Sequence, residues 1–356
     1  MLHWVMTRLI LHIGKEKTGT THIQEMIAAN RSLLSSIGLV DMGKEFGSGD
    51  HCWITVLGYE EEQNDDVTRN LQISKNSNFL RKLKIQYRQK DLINFSKNHS
   101  GKTLISSSEH MSSRLTSINQ LERLRDALKP AFDEVIVLVY LRDPLESAIS
   151  LWSTALKSGS RLKDLPKPDN HYWHNCCNHR KTLQVWAEVF GFDNVHPRVY
   201  EFASSHSQGL FGDFMDACNV RFSFWKTSVK EIDKRSNKKL TLPAMRVLGR
   251  INEKFLDLNS DSQFRNLRSR VVSMLEEDCS DFQDFLPSSA IADEYRSAFL
   301  ESNEWIKRTY FGDCKSLPWG VLKDSSSWSI RESRDMEDEL LPKYVEWICA
   351  RLPEGV

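Results

Sequence analysis

The stretch "LILHIGKEKTGTTHIQEMI" (residues 9–27) constrains the fold more than any other part of the chain. "LILHI" is short, apolar and β-rich, and a glycine-bearing turn follows it. Ile23, Met26, Ile27, Leu33 and Leu34 then recur at helical spacing. Strand, loop and helix in that order open an α/β fold, and Gly14 to Thr21 have the spacing of a phosphate-binding loop. Such a loop turns backbone N–H groups toward an anion, and the positive end of the helix dipole adds to the attraction. Gly14 and Gly19 relax the backbone, while Thr20 and Thr21 bring hydroxyl donors to the helix start. Thr20 nevertheless stands where a nucleotide kinase or ATPase carries lysine. The nearest cations, Lys15 and Lys17, lie inside the loop. The later strand that could supply an acidic partner for magnesium ends in Arg142. A donor with one terminal charged group and no metal suits these residues.

Downstream, strands alternate with helices. "FLRKLKIQYRQKDLINF" is a charged helical stretch, "KTLISSSEHM" a strand running into a polar turn, "INQLERLRDAL" a helix, and "EVIVLVYL" the clearest buried strand. In "RDPLESAISLWSTAL", Asp143 is a good N-cap, Pro144 fits the first helical position and Glu146 falls three residues after the cap. Leu145, Ala148, Ile149, Trp152, Ala155 and Leu156 form one apolar stripe along that helix. Residues 158–180 look like a loop-like insertion, "KTLQVWAEVFGF" like a helix and "HPRVYEFA" like a strand. The expected fold is three-layer, P-loop-like α/β, with a central, mainly parallel sheet flanked by helices. Residues 1–356 are expected to form a single domain whose part beyond about 230 is mostly helical. Ligands of such a sheet bind at the carboxyl ends of its strands. Lys17, Glu109 and Arg142 share that rim if their strands are parallel.

Composition excludes several function classes. Lys+Arg and Asp+Glu balance at 48 each, so no global field draws the chain to nucleic acid or a membrane surface, and any anion site must be local. The longest unbroken apolar run, around "VIVLVYL", is far too short for a membrane span. The start "MLHWVMTRLILHIG" leaves little room for a cleavable leader. Seven cysteines without a CxxC pair suit a reducing compartment, so a cytoplasmic location is expected. "HYWHNCCNH" (171–179) holds three histidines and two cysteines but no second spaced pair, and no metal site is expected there. Tyr172, Trp173 or a histidine of this segment could touch an acceptor, or equally pack on the core.

"KTGTT" after the first strand and "LRDPLESAISLW" after a later one together resemble the sulfotransferase family, more loosely its bacterial carbohydrate-type members. "LISSSEH", "LQVWAEVFGFDNVHPRVYEF" and "ESNEWIKRTYFGD" extend the resemblance over most of the chain. The resemblance implies 3'-phosphoadenosine 5'-phosphosulfate (PAPS) as donor and a hydroxyl acceptor, expected to be a carbohydrate or glycolipid. It implies that Lys17, Thr18, Gly19, Thr20 and Thr21 wrap the 5'-phosphosulfate; beside them Gly14 relaxes the loop and Lys15 could neutralise the same phosphate. It implies too that Arg142 and Ser150, eight residues apart, hold the 3'-phosphate. The C-terminal Arg-Lys-Gly element of cytosolic animal members is missing; "DKRSNKK" (233–239) could supply replacement cations.

Sulfuryl transfer resembles phosphoryl transfer in resting on positioning and electrostatics. Lys17 would stabilise the oxygen bridging phosphorus and sulfur. Arg142 suits a bidentate phosphate contact through its planar fork; its alternative is an ion pair with Asp143 or Glu146. Glu109 and His110 both stand where a base could take the acceptor proton, and the family favours Glu109. Two other readings compete. One is a P-loop kinase or NTPase, against which Thr20 counts; the other is a non-catalytic protein that binds adenosine bisphosphate.

Overall fold

A computed structural model describes residues 6–43, 51–219, 229–232, 240–259, 261–280, 287–312, 317–319 and 330–352. The "DKRSNKK" segment (233–239) lies outside the described residues. The chain divides into two compact units. One comprises Met1–Arg142, Asn178–Asp233 and Glu301–Leu317; the other comprises Asp143–Cys177, Lys234–Leu300 and Pro318–Val356.

The first unit is built on five parallel strands: β1 (Arg8–His12), β2 (Leu39–Asp41), β3 (Thr103–Ser107), β4 (Glu134–Leu141) and β5 (Val195–Val199). Their order across the sheet is β2-β3-β1-β4-β5, with β1 in the centre. This all-parallel, helix-flanked sheet is the expected P-loop-like α/β architecture. His12 pairs in register with Ser107 on one side and Leu138 on the other, and β4 continues three residues further, to Leu141. The chain leaves β1 toward the β2 edge and leaves β4 toward the β5 edge. The boundary between these neighbouring strands is therefore the topological switch point of the sheet, the place where ligands of open α/β sheets bind.

Alternation along the strands sorts the core. Ile10, Ile105, Leu138 and Tyr140 face helix α1 (Thr20–Ala29), through Ile23, Met26 and Ile27, and the helix Gly209–Ala217, through Leu210, Phe211 and Phe214. Leu9, Leu11, Leu104, Val137 and Val139 lie on the opposite parity and are buried too. On β4 and β5 the covering helix is His179–Phe190, with Leu183 and Trp186 buried. Both faces are covered, which is why the strands read as continuous apolar runs. At the sheet edge, Pro197 costs no ladder bond from a neighbour, because β5 pairs with β4 alone. The expected strand "HPRVYEFA" stops at Val199, and Tyr200–Ser204 is helical.

The second unit is helical among its described residues, and its main helices include Pro144–Lys157, Leu242–Lys254, Ser262–Asp278 and Ile330–Cys349. The capping signature holds there. Asp143 Oδ1 accepts from the N–H groups of Leu145 (2.8 Å) and Glu146 (3.1 Å), and Pro144 is the first helical residue. Ala148, Ile149, Trp152 and Leu156 bury into this unit's core, with Leu145 and Ala155 packed beside them.

The segment expected to be a loop-like insertion contains a helix, His171–Cys177. Two asparagines organise it. Asn170 Oδ1 accepts from Tyr172 and Trp173 N–H, and Asn178 caps the next helix through Lys181 N–H. Trp173 is buried with its indole N–H on the Ala148 carbonyl, whereas Tyr172 is exposed. Among the described residues no helix is long and apolar enough to cross a membrane. No group of three or more His, Cys, Asp or Glu residues stands close enough there to hold a metal ion.

Candidate anion-binding site at the carboxyl rim of the sheet

The loop between β1 and α1 combines three residues at positive φ: Gly14 (47°), Lys17 (67°) and Gly19 (78°). A Cβ on Gly14 would meet Thr20 Oγ1 at 2.7 Å and the Glu109 backbone at 3.2 Å, so the loop closes directly over the end of β3. A Cβ on Gly19 would lie 2.3 Å from Leu210 and 3.4 Å from the Tyr200 ring. Gly19 is also the N-cap of α1, and it offers no side chain to the N–H groups of the first helical turn. Those groups have no intrahelical partner, so an anion is their natural acceptor.

Two side chains brace the loop internally. The Thr18 hydroxyl donates to the Lys15 carbonyl at 2.7 Å, and Ser112 donates to the Gly14 carbonyl. The Thr18 proton is thereby committed to the loop itself. Lys15 is buried and its ammonium donates to Thr182 Oγ1 at 3.1 Å, on the helix His179–Phe190. Lys17 is half-buried at the loop tip.

Arg142, just past β4, reaches this same tip. Its Nη1 donates to the Lys17 carbonyl at 3.0 Å, and its guanidinium carbon lies 5.2 Å from the centre of the Tyr200 ring. A left-handed conformation at a non-glycine residue is costly unless its surroundings enforce it. The bond from Arg142 is one such restraint. Tyr200 serves both residues, since it also lies against Gly19. The two motifs separated by 125 positions in sequence thus meet at one point.

Thr20 sits at the start of α1, 5% exposed, and its Oγ1 has no hydrogen-bond partner among the described residues. An unsatisfied buried hydroxyl costs free energy, so its presence beneath an anion-type loop fits a ligand oxygen. Thr21 is exposed on the first turn of α1.

The residues after β3 divide in direction. Glu109 is half-buried at the loop, with Oε2 accepting from Gln24 Nε2 at 3.4 Å. Gln24 also donates to the Ser107 carbonyl at 2.9 Å and thereby pins α1 to β3. His110 follows as the first residue of the short helix His110–Arg114 and is half-buried, and from that helix Arg114 pairs with Asp66. Burial raises the Asp66 carboxyl, but the charges of Arg114 and His110 outweigh it and hold the group below its ordinary value. Ser150 belongs to the helix Pro144–Lys157 of the second unit. It is buried there, as are Ser147 and Ser153.

Neutral buried histidines support the rim. His12 Nδ1 lies 2.8 Å from Ser107 Oγ, and its ring edge meets Tyr140 and Phe214. Burial, aided by His51, lowers its pKa to about 3. His179 Nε2–H donates to the Arg142 carbonyl at 2.7 Å; burial and the Lys15 charge lower its pKa to about 3 against the effect of that bond. Farther back, Asp213 takes a bidentate pair from Arg198 (2.5 Å to each oxygen) and a bond from Tyr140 OH at 2.8 Å. That network anchors the helix bearing Leu210, and hence the wall behind Gly19.

Sequence reasoning missed Gln24, Thr182, Tyr200 and Leu210. Gln24 alone left a signal, as a polar residue one turn after Thr20 on the buried side of an apolar helix.

No family model matches the chain, and no curated protein matches it. Among solved structures it is similar to a sulfotransferase from Alicyclobacillus acidocaldarius. That likeness is 12% identical, covers 75% of this chain and 95% of the other, and has a TM-score of 0.38. It is also similar to a sulfotransferase domain from the curacin biosynthetic pathway, at 14% identity, 83% and 96% coverage and a TM-score of 0.37.

Proposed function

We propose that this chain is a sulfotransferase that moves a sulfuryl group from PAPS to an acceptor hydroxyl on a saccharide or glycolipid, in the cytoplasm and without a metal. The observation that carries this reading is the bond from Arg142 to the Lys17 carbonyl. It unites at one strand rim the two motifs that the sequence resemblance assigns to opposite ends of the donor.

The division of labour follows from residue chemistry. The N–H groups of the Gly19–Thr21 turn and the free Thr20 hydroxyl are donors for the 5'-phosphosulfate. The acceptor oxygen attacks sulfur as the bond from sulfur to the bridging oxygen breaks, leaving adenosine 3',5'-bisphosphate. Charge grows on the bridging oxygen, and the Lys17 ammonium stabilises it. Glu109 takes the acceptor proton. Its nearness to Gly14 and Gln24, at the start of the loop, supports that role. Arg142, with Ser150, is assigned the 3'-phosphate, and Lys15 supports the loop from within through Thr182.

The test is transfer of labelled sulfate from PAPS to a panel of saccharides and glycolipids, with wild type and Lys17→Ala. The expected result is labelled product with wild type. With Lys17→Ala transfer is lost, while adenosine 3',5'-bisphosphate still binds. Undiminished transfer by Lys17→Ala removes Lys17 from the mechanism. Bisphosphate binding with no labelled acceptor favours the non-catalytic reading.

A further inference from the structure

The first half of the helix Asn78–Asn98 turns most of its apolar side chains outward, while Leu92 in the second half is buried. The buried residues of the whole helix are Arg81, Leu92 and Ser96. Phe79, Leu80, Leu83 and Tyr87 point outward, at 70%, 50%, 45% and 66% exposure. At about 100° per residue, the four apolar side chains fall within an arc of about 100°, and the buried three centre about 180° away. An amphipathic helix of a globular protein shows the reverse arrangement, with its apolar stripe toward the core. Single exposed apolar residues are ordinary, but four on one arc within nine positions mark an interaction surface.

Charge selects the occupant. The helix carries six Lys and Arg residues against one carboxylate, Asp91, in a chain whose formal net charge is zero. On the helical wheel Lys82 borders the apolar arc on one side and Lys84 on the other, and both are exposed. The acidic run Glu60–Glu62 adjoins Gln63, whose carbonyl accepts from Arg81 on the buried side, away from the arc. Two copies meeting through this face would bring their Lys82, Lys84 and Lys90 ammonium groups together, which disfavours self-pairing. An apolar strip with an aromatic at each end and lysines on both flanks matches the depth profile of a lipid leaflet, apolar below and anionic at the headgroups.

We infer that Asn78–Asn98 is a peripheral docking helix for an anionic lipid surface. Phe79, Leu80, Leu83 and Tyr87 enter the interface, and Lys82 and Lys84 lie at the phosphate level. This site is separate from the rim of the sheet and stands independently of the proposed activity. Were the acceptor a glycolipid, docking would bring the enzyme to the surface that holds it.

Co-sedimentation of the full chain with vesicles of phosphatidylcholine alone, or mixed with phosphatidylglycerol, tests the inference. Binding is expected to the mixed vesicles and at least tenfold more weakly to phosphatidylcholine. Lys82→Gln and Lys84→Gln should each weaken it about fivefold, and added salt should do the same. The double variant Phe79→Ser/Leu83→Ser should abolish it at unchanged thermal stability, since both side chains are exposed. No binding to either vesicle, equal binding to both, or full binding by the double variant overturns the inference. So does a concentration-dependent dimer that the double variant dissolves, which would make a second copy the occupant.

Discussion

Replacing Thr20 by valine separates what the loop needs in order to fold from what it needs in order to bind. The threonine is 5% exposed and its hydroxyl has no partner among the described residues. Valine keeps the branched shape at nearly the same helix propensity, so the variant deletes little beyond the hydroxyl. A buried unsatisfied hydroxyl costs about 1–3 kcal/mol, so Thr20→Val should unfold at higher denaturant and gain about 1 kcal/mol. A hydrogen bond from that hydroxyl to a phosphate or sulfate oxygen contributes about 1.5–3 kcal/mol. The Kd for adenosine 3',5'-bisphosphate should therefore rise about 10- to 150-fold. Urea unfolding gives the first quantity and calorimetric titration the second. A variant destabilised by more than about 1 kcal/mol, or one that binds as wild type does, would refute the reasoning.

Three further outcomes follow from the same geometry. Gly19→Ala should cost about 2–4 kcal/mol, combining positive φ with the overlap on Leu210, whereas Gly38→Ala, at φ 87° with open space around it, should cost about 1 kcal/mol; comparable urea midpoints would contradict the packing at Gly19. Arg142→Lys should weaken bisphosphate binding about tenfold, because one ammonium cannot both hold the Lys17 carbonyl and spread over Tyr200; an unchanged titration would dissociate Arg142 from the site. Stability should fall as pH drops from about 6.5 toward 3, because the unfolded chain binds protons that buried His12 and His179, with folded values of about 3, refuse. The slope is up to about 1.4 kcal/mol per pH unit for each histidine. Asp41 extends the loss below that window. Burial raises its carboxyl, but bonds from His51, Gly43 and Arg31 outweigh this and hold it at about 2. A flat urea midpoint between pH 6.5 and 4 would contradict the assignment of both histidines as neutral.

The parts legible in sequence are those whose causes are local. Strand β1, its loop and α1 follow from one apolar run, two glycines and a helical repeat. The Pro144–Lys157 helix follows from Asp143 and Pro144. Other parts depend on partners far away in the chain. Strand β2 has three residues, too few for any periodicity. The helix His171–Cys177 depends on caps inside a segment whose prolines and histidines suggest a loop. The buried pair Asp41–His51, 3.0 Å apart, joins β2 to the backbone N–H of Ser107 on β3, and neither residue advertises it. At the rim, strand direction brings Lys17, Glu109 and Arg142 together as the alternating pattern implies. Their orientation is set by Gln24, Tyr200, Leu210 and Thr182, side chains that become visible only after the sheet has closed. The outward face of Asn78–Asn98 was hidden differently: its apolar residues look like core until their exposure is known.

The central claim is that the rim between β1 and β4 grips a 3'-phosphorylated adenylate by backbone amides, the Thr20 hydroxyl and the Arg142 guanidinium. Calorimetric titration of the wild-type chain with adenosine 3',5'-bisphosphate, and separately with ATP plus magnesium, tests it most directly. Saturable binding of the bisphosphate is expected, with little heat from ATP with magnesium. Saturable binding of ATP with magnesium, and none of the bisphosphate, would contradict it.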